Sequence, residues 1–153
     1  MAVEFSYAEE QLIAAGGNAV LNNSILCPYG LVFQDNGTGL INLRGIPNNM
    51  CSQWAQYQIT AQGNIAIPTG GTVGAISVAF VENGGEIQSA KSIATPAAVN
   101  EFWPFFINKI VTVRKGCCPI FLIKNALPGV DPTTEVAQAI LMRNLNVTVT
   151  KVA

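Results

Sequence analysis

Gly74-Ala-Ile-Ser-Val-Ala-Phe-Val-Glu-Asn-Gly-Gly-Glu86 is the stretch that decides the fold class. Ile76, Val78 and Phe80 fall on one side of an extended chain, and Ala75, Ser77 and Ala79 on the other. That is the period of two expected of a half-buried strand. Glu82-Asn-Gly-Gly85 follows at once, with the residue types that accept the positive φ angles of a tight hairpin.

The same punctuation by glycine and proline continues outward in both directions. Downstream, Ile107 and Ile110-Val-Thr-Val113 form a strand that stops at Lys115-Gly116. Ile120-Phe-Leu-Ile123, between Pro119 and Lys124-Asn125, is apolar on both faces and reads as a strand buried on both sides. Leu145-Asn-Val-Thr-Val-Thr150 alternates again, apolar residues inward. Upstream, strands are expected over 3–7, 18–21, 30–34, 40–44 and 54–61, with a turn at Asn36-Gly-Thr-Gly39. Asn64-Ile-Ala-Ile67 is a short strand ended by Pro68-Thr-Gly-Gly71.

The count comes to about nine or ten strands, the pattern of an all-β sandwich, barrel or jelly roll. Helix is expected only over Thr95-Pro-Ala-Ala-Val-Asn-Glu-Phe102, with Thr95 as cap and Pro96 at the first helical position, and over 133–139. Nothing divides the 153 residues, so they are read as one domain, 1–153.

Charge is scarce. Only 11% of residues are charged, against about 25% in ordinary soluble domains. A folded monomer of this mass should expose roughly 7,500 Å², about one charge per 440 Å² for its 17 charged residues. Asn, Gln, Ser and Thr could dress such a surface, or much of it could lie against other copies of the chain, as obligate interfaces do. Residues 1–90 carry a net −5 and residues 91–153 a net +4, with the bases dispersed singly along strands. A net charge of −1, with the bases dispersed, argues against a nucleic-acid partner, which requires a basic face. No run of 18 apolar residues offers a membrane span, and Met1-Ala-Val-Glu-Phe-Ser-Tyr7 is no secretory signal, so synthesis and maturation in a cytosol are expected.

The search for chemistry returns little. With no histidine, Ser-His-Asp and Cys-His catalysis and histidine metal sites are excluded. Cys27 and Cys51 stand alone, and Cys117-Cys118 are contiguous, so neither a zinc set nor a disulfide framework is expected. Asp35, Glu82, Glu86 and Asp131 lie in or beside turns, where solvated carboxylates belong. Neither Gly70-Gly-Thr-Val-Gly74 nor Gly37-Thr-Gly39 completes a nucleotide-binding motif. No enzyme, cofactor or metal is expected, and the exception to test is calcium held by loop carbonyls and carboxylates, a site that needs no histidine. Phe102-Trp-Pro-Phe-Phe106 puts four large rings in five residues. They could close the core, seal a subunit interface or bind a glycan or protein; Trp54 and Tyr57 point to core or interface too. The interface candidates are therefore Trp54, Tyr57, Phe102, Trp103, Phe105 and Phe106.

Asn64–Phe80 with Glu82-Asn-Gly-Gly-Glu86, together with Ala94–Phe102 and Val113-Arg-Lys-Gly-Cys-Cys118, resembles the TNF/C1q-like jelly-roll group. More closely it resembles small proteins of bacteriophages and prophages of Gram-positive bacteria, and it is similar to the C-terminal domains of bacterial collagen-like spore-surface proteins. It lacks the Gly-X-Y tract of the latter. The resemblance covers residues 63–125 by sequence and the rest by strand pattern. It implies a homotrimer packed through aromatic-rich sheet faces. It also implies a structural place in a virion, as head decoration, head fibre or tail-associated protein, beside other virion proteins. No catalytic motif comes with it.

Overall fold

The computed structural model describes residues 2–21, 23–25, 32–34, 39–43, 53–115, 119–129 and 138–152. These form eleven strands: β1 (Ala2–Tyr7), β2 (Gln11–Ile13), β3 (Asn23–Ile25), β4 (Val32–Gln34), β5 (Ile41–Leu43), β6 (Trp54–Ala66), β7 (Ile76–Glu82), β8 (Gly85–Ala94), β9 (Trp103–Arg114), β10 (Ile120–Ala126) and β11 (Ile140–Lys151). A six-stranded sheet runs β3-β1-β11-β6-β9, with β2 also paired to β11, and a five-stranded sheet runs β4-β5-β10-β7-β8. Every pairing is antiparallel. The chain crosses between sheets after β3, β5, β6, β8, β9 and β10, which makes a sandwich.

Alternation along the strands fills the space between the sheets. Phe5, Tyr57, Ile59, Ile65, Phe105, Ile107, Met142 and Val147 point inward from the larger sheet, and Ile41, Val78, Phe80, Phe121 and Ile123 from the smaller. The hairpin signal at 82–85 folds as read: Asn83 (φ 48°) and Gly84 (φ 85°) make the turn between β7 and β8. Asn83 also binds the start of β10, its N–H donating to Ile120 O and its Oδ1 accepting from Ile120 N, both at 2.9 Å. Gly39 (φ 77°) is obligatory, because a Cβ there would lie 2.0 Å from Ala19 O.

Several expectations are corrected. Residues 95–102 form turns and no helix. Asn100 adopts φ 59°, donates its N–H to Ile67 O and its Nδ2 to Thr69 Oγ1, so long-range bonds replace the helical ones. The other helix candidate, 133–139, lies outside the described residues except for 138 and 139, which are not helical. Residues 18–21 contribute a single bridge, Asn18 to Lys124, and no strand. The strands expected at 54–61 and 64–67 are one strand, β6, continuous through Gly63.

The two central strands exchange the burial expected of them. From Ile76 to Val81, β7 is buried on both faces, whereas β10 alternates, with Ile120 exposed and Leu122 half-buried. The outward residues Ser77 and Ala79 are small, and the flanking strands close over them. Ser77 Oγ donates to Ala126 O at 2.9 Å, and Ala79 stands in register between Lys91 and Lys124. Long stems laid over small neighbours bury those neighbours.

Candidate functional site

The outer face of the larger sheet is where β6, β9 and β11 lie side by side in long register. Phe106, Asn108, Ile110 and Thr112 point outward from β9, opposite Gln62, Thr60, Gln58 and Gln56 of β6, which in turn pair with Asn146, Thr148 and Thr150 of β11. No charged side chain falls in this set. Its polar members bond one another: Gln58 Nε2 and Thr60 Oγ1 donate to Asn108 Oδ1 at 3.2 and 3.3 Å, and Gln56 Nε2 donates to Thr112 Oγ1 at 3.4 Å. Large apolar groups flank this amide ladder, with Phe106 60%, Ile110 57% and Trp54 58% exposed. Isolated exposed hydrophobics are ordinary, but three on one face make a patch, with Arg114 opposite Trp54 at its end.

The six aromatic candidates separate by strand phase. Tyr57 and Phe105 point inward and lie in this chain's own core. Trp54 and Phe106 point outward. Trp103 is 42% exposed, its indole N–H donating to Glu101 Oε1 at 2.7 Å. Phe102 is half-buried beneath Arg143, whose guanidinium carbon stands 3.7 Å from the ring centroid.

Phe105 and Gly63 shape one end of the face. They are register partners, and a Cβ on Gly63 would come within 2.9 Å of Phe105 Cε1 and 3.1 Å of Arg143 O. Opposite, the β11–β6 register slips between Arg143 and Asn146, and Asn144 takes φ 57° while its N–H bonds Ala8 O at 3.1 Å. Beside this bulge is an open depression of about 500 Å³ lined by Gln62, Gly63, Asn64, Pro104, Phe105, Phe106 and Asn144. Sequence reading passed over Ile110, Asn64 and Asn144. The one available signal was a glycine inside a strand, which marks bulges and close approaches.

On the opposite face of the sandwich, Glu86 is not the solvated turn carboxylate expected, and Lys91 and Lys124 do not sit singly. Lys91 Nζ lies 2.7 Å from Glu86 Oε1, and Lys124 Nζ lies 3.9 Å from Glu86 Oε2. At the edge of the larger sheet, Lys109 occupies an inward position on β9 and reaches Ser89 Oγ at 3.4 Å. An inward charge, with Pro104 on the same strand, blunts that edge against further strand addition. Cys27, Cys51, Cys117, Cys118, Asp35 and Asp131 lie outside the described residues, and among the described residues no group of three or more potential metal ligands gathers. No described helix is long and apolar enough to cross a membrane.

No protein-family model matches the sequence, and no curated protein matches it. Solved structures do match. Eiger TNF from S. frugiperda superposes with a TM-score of 0.64 at 10% identity, over 100% of this chain and 92% of that one. Murine APRIL at pH 5.0 superposes with a TM-score of 0.61 at 7% identity, over 99% of this chain and 98% of that one. PRD1 vertex protein P5 also matches, at 13% identity over 99% and 96% of the two chains, but its TM-score of 0.48 is too low to bear on function. Sheet order, register and these superpositions together establish that the chain has the TNF/C1q-like jelly-roll fold.

Proposed function

We propose that this chain is a non-enzymatic structural subunit that assembles as a homotrimer and takes its place in a bacteriophage virion. The observation that carries the assembly is the outer face of β6 and β9, where Trp54 and Ile110 stand exposed beside the amide ladder and Arg114, opposite Trp54, is the one charged side chain that points outward. A face with its amides already bonded to each other loses little hydrogen bonding when covered, and its apolar groups gain about 25 cal/mol per Å² removed from water. Three copies follow from the sequence resemblance to trimeric jelly rolls. The virion follows from the likeness of residues 63–125 to small phage and prophage proteins.

The test is sedimentation equilibrium at micromolar concentration, where the particle mass is expected at three times the 16.2 kDa of one chain. A species that stays monomeric over that range sinks the assembly. Labelled antibody on intact particles, viewed by electron microscopy, tests the virion placement: regular decoration supports it, and bare particles from a producing lysate refute it.

A further inference from the structure

The amides of the outer face fall into two groups. Those in the middle are satisfied within the sheet, as the bonds of Gln56, Gln58 and Asn108 show, and Asn146 Nδ2 donates to Glu4 Oε1 at 2.8 Å. Around the depression beside Phe106 the pattern breaks. The side-chain amides of Gln62, Asn64 and Asn144 have no hydrogen-bond partner among the described residues, and all three line that depression. Each offers two donor hydrogens and an acceptor oxygen.

Gln62 and Asn144 are exposed and Asn64 is half-buried, on backbone held in place by its neighbours. Gln62 and Asn64 flank Gly63 on β6, whose missing side chain is replaced by the buried Phe105 ring, and Asn144 is held at the bulge by its backbone bond to Ala8. The Phe106 ring and Pro104 supply the apolar side. No ionisable side chain lines the depression, and the adjacent Arg143 is stacked on Phe102.

We propose that this depression is a binding site for a neutral saccharide. Carboxamides that both donate and accept match neighbouring sugar hydroxyls, which also do both. An exposed aromatic face covers the C–H side of a pyranose ring. An uncharged lining gives a charged ligand nothing to pair with. Ligand groups enter where the sheet's own hydrogen bonding stops.

The experiment is binding of the full chain to an array of neutral, carboxylated and sulfated oligosaccharides, followed by titration with the strongest neutral one. Neutral sugars are expected to bind and charged ones to give no added signal. Gln62→Ala combined with Asn144→Gly removes two amides, and glycine keeps the positive φ at 144, so the fold is retained. That variant is expected to bind about tenfold more weakly, as for two lost hydrogen bonds of roughly 0.7 kcal/mol each. Phe106→Ala is expected to lose a similar factor. No neutral sugar bound, binding confined to charged sugars, or full affinity in the double amide variant would each overturn the proposal. Sedimentation of the same samples keeps the site and the assembly separate. The double amide variant is expected to keep the wild-type mass, so its loss of sugar reports on the site. A monomeric wild type that still binds sugar refutes the assembly and leaves the site standing.

Discussion

Lys91 and Glu86 meet at 2.7 Å on the outer face of the smaller sheet, with the lysine side chain 6% and the glutamate side chain 20% exposed. The same ammonium donates to Leu127 O at 2.9 Å and Gly129 O at 3.2 Å, so all three of its N–H groups are engaged. One side chain thus joins the start of β8 to the connection leaving β10. Lys91→Ala is expected to cost about 1–3 kcal/mol, since it frees two carbonyls and leaves Glu86 only Gln88 and the more distant Lys124. Glu86→Gln should cost about half as much, because the amide still accepts from Lys91. Urea titration of both variants checks the order, and a Lys91→Ala variant as stable as wild type would refute the clamp.

Gly63→Ala is expected to destabilise by about 1–3 kcal/mol, because its Cβ would press on the Phe105 ring and on Arg143 O. Phe105→Leu shortens the ring side of that contact. A double-mutant cycle should therefore give a coupling of about 1 kcal/mol or more, with the pair of changes costing less than their sum. Additive costs would mean that the ring and the glycine do not share the site.

Phe105→Ala and Ile110→Ser should separate core from assembly. The first removes a ring that is 3% exposed and should cost about 3–5 kcal/mol at any protein concentration. The second, and Trp54→Ser with it, alters a side chain more than half exposed in one chain, so the folded monomer should tolerate it. Assembly should weaken about 30-fold or more, as for a hot spot of roughly 2 kcal/mol, and recover as concentration rises. Unchanged sedimentation of both surface variants would show that this face is not where copies meet.

Asn125, 6% exposed on β10, donates through Nδ2 toward Ile13 O, Ala14 O and Gln138 O at 3.3, 3.2 and 2.7 Å. It ties the smaller sheet to β2 and to the approach to β11 in the larger one. Asn125→Asp aims a carboxylate at three carbonyl oxygens. Burial and those dipoles favour its neutral form, which raises the folded-state pKa of the introduced carboxyl. The deficit against wild type should therefore be full at about pH 7 and shrink as pH falls through that raised value. Paired denaturation curves at about pH 7 and about pH 4.5 measure it, and a deficit that grows on acidification would contradict the assignment.

Chelation is expected to leave the melting temperature unchanged, since the described carboxylates do not gather. A drop on adding EDTA, restored by calcium, would identify a loop site of the hard-oxygen kind.

What the sequence alone determined was whatever depends on neighbours along the chain. Asn83-Gly84 turns because those residues accept positive φ, and β1, β7, β9 and β11 follow from alternation imposed by the pleat. Tertiary structure decided what depends on partners far away in sequence. The cap and proline at Thr95-Pro96 favour a helix locally, but Asn100 finds Ile67 and Thr69 instead. Apolar content marked β10 as the doubly buried strand, yet burial went to β7, whose small Ser77 and Ala79 lie between longer neighbours. Within Phe102–Phe106 the rings are equivalent as composition. Only pairing with β6, which sets Phe105 against Gly63 and Phe106 against Gln62, sends one ring into the core and its neighbour to the surface. A strand's phase is a property of the pair, and a shift of one residue would have exchanged them.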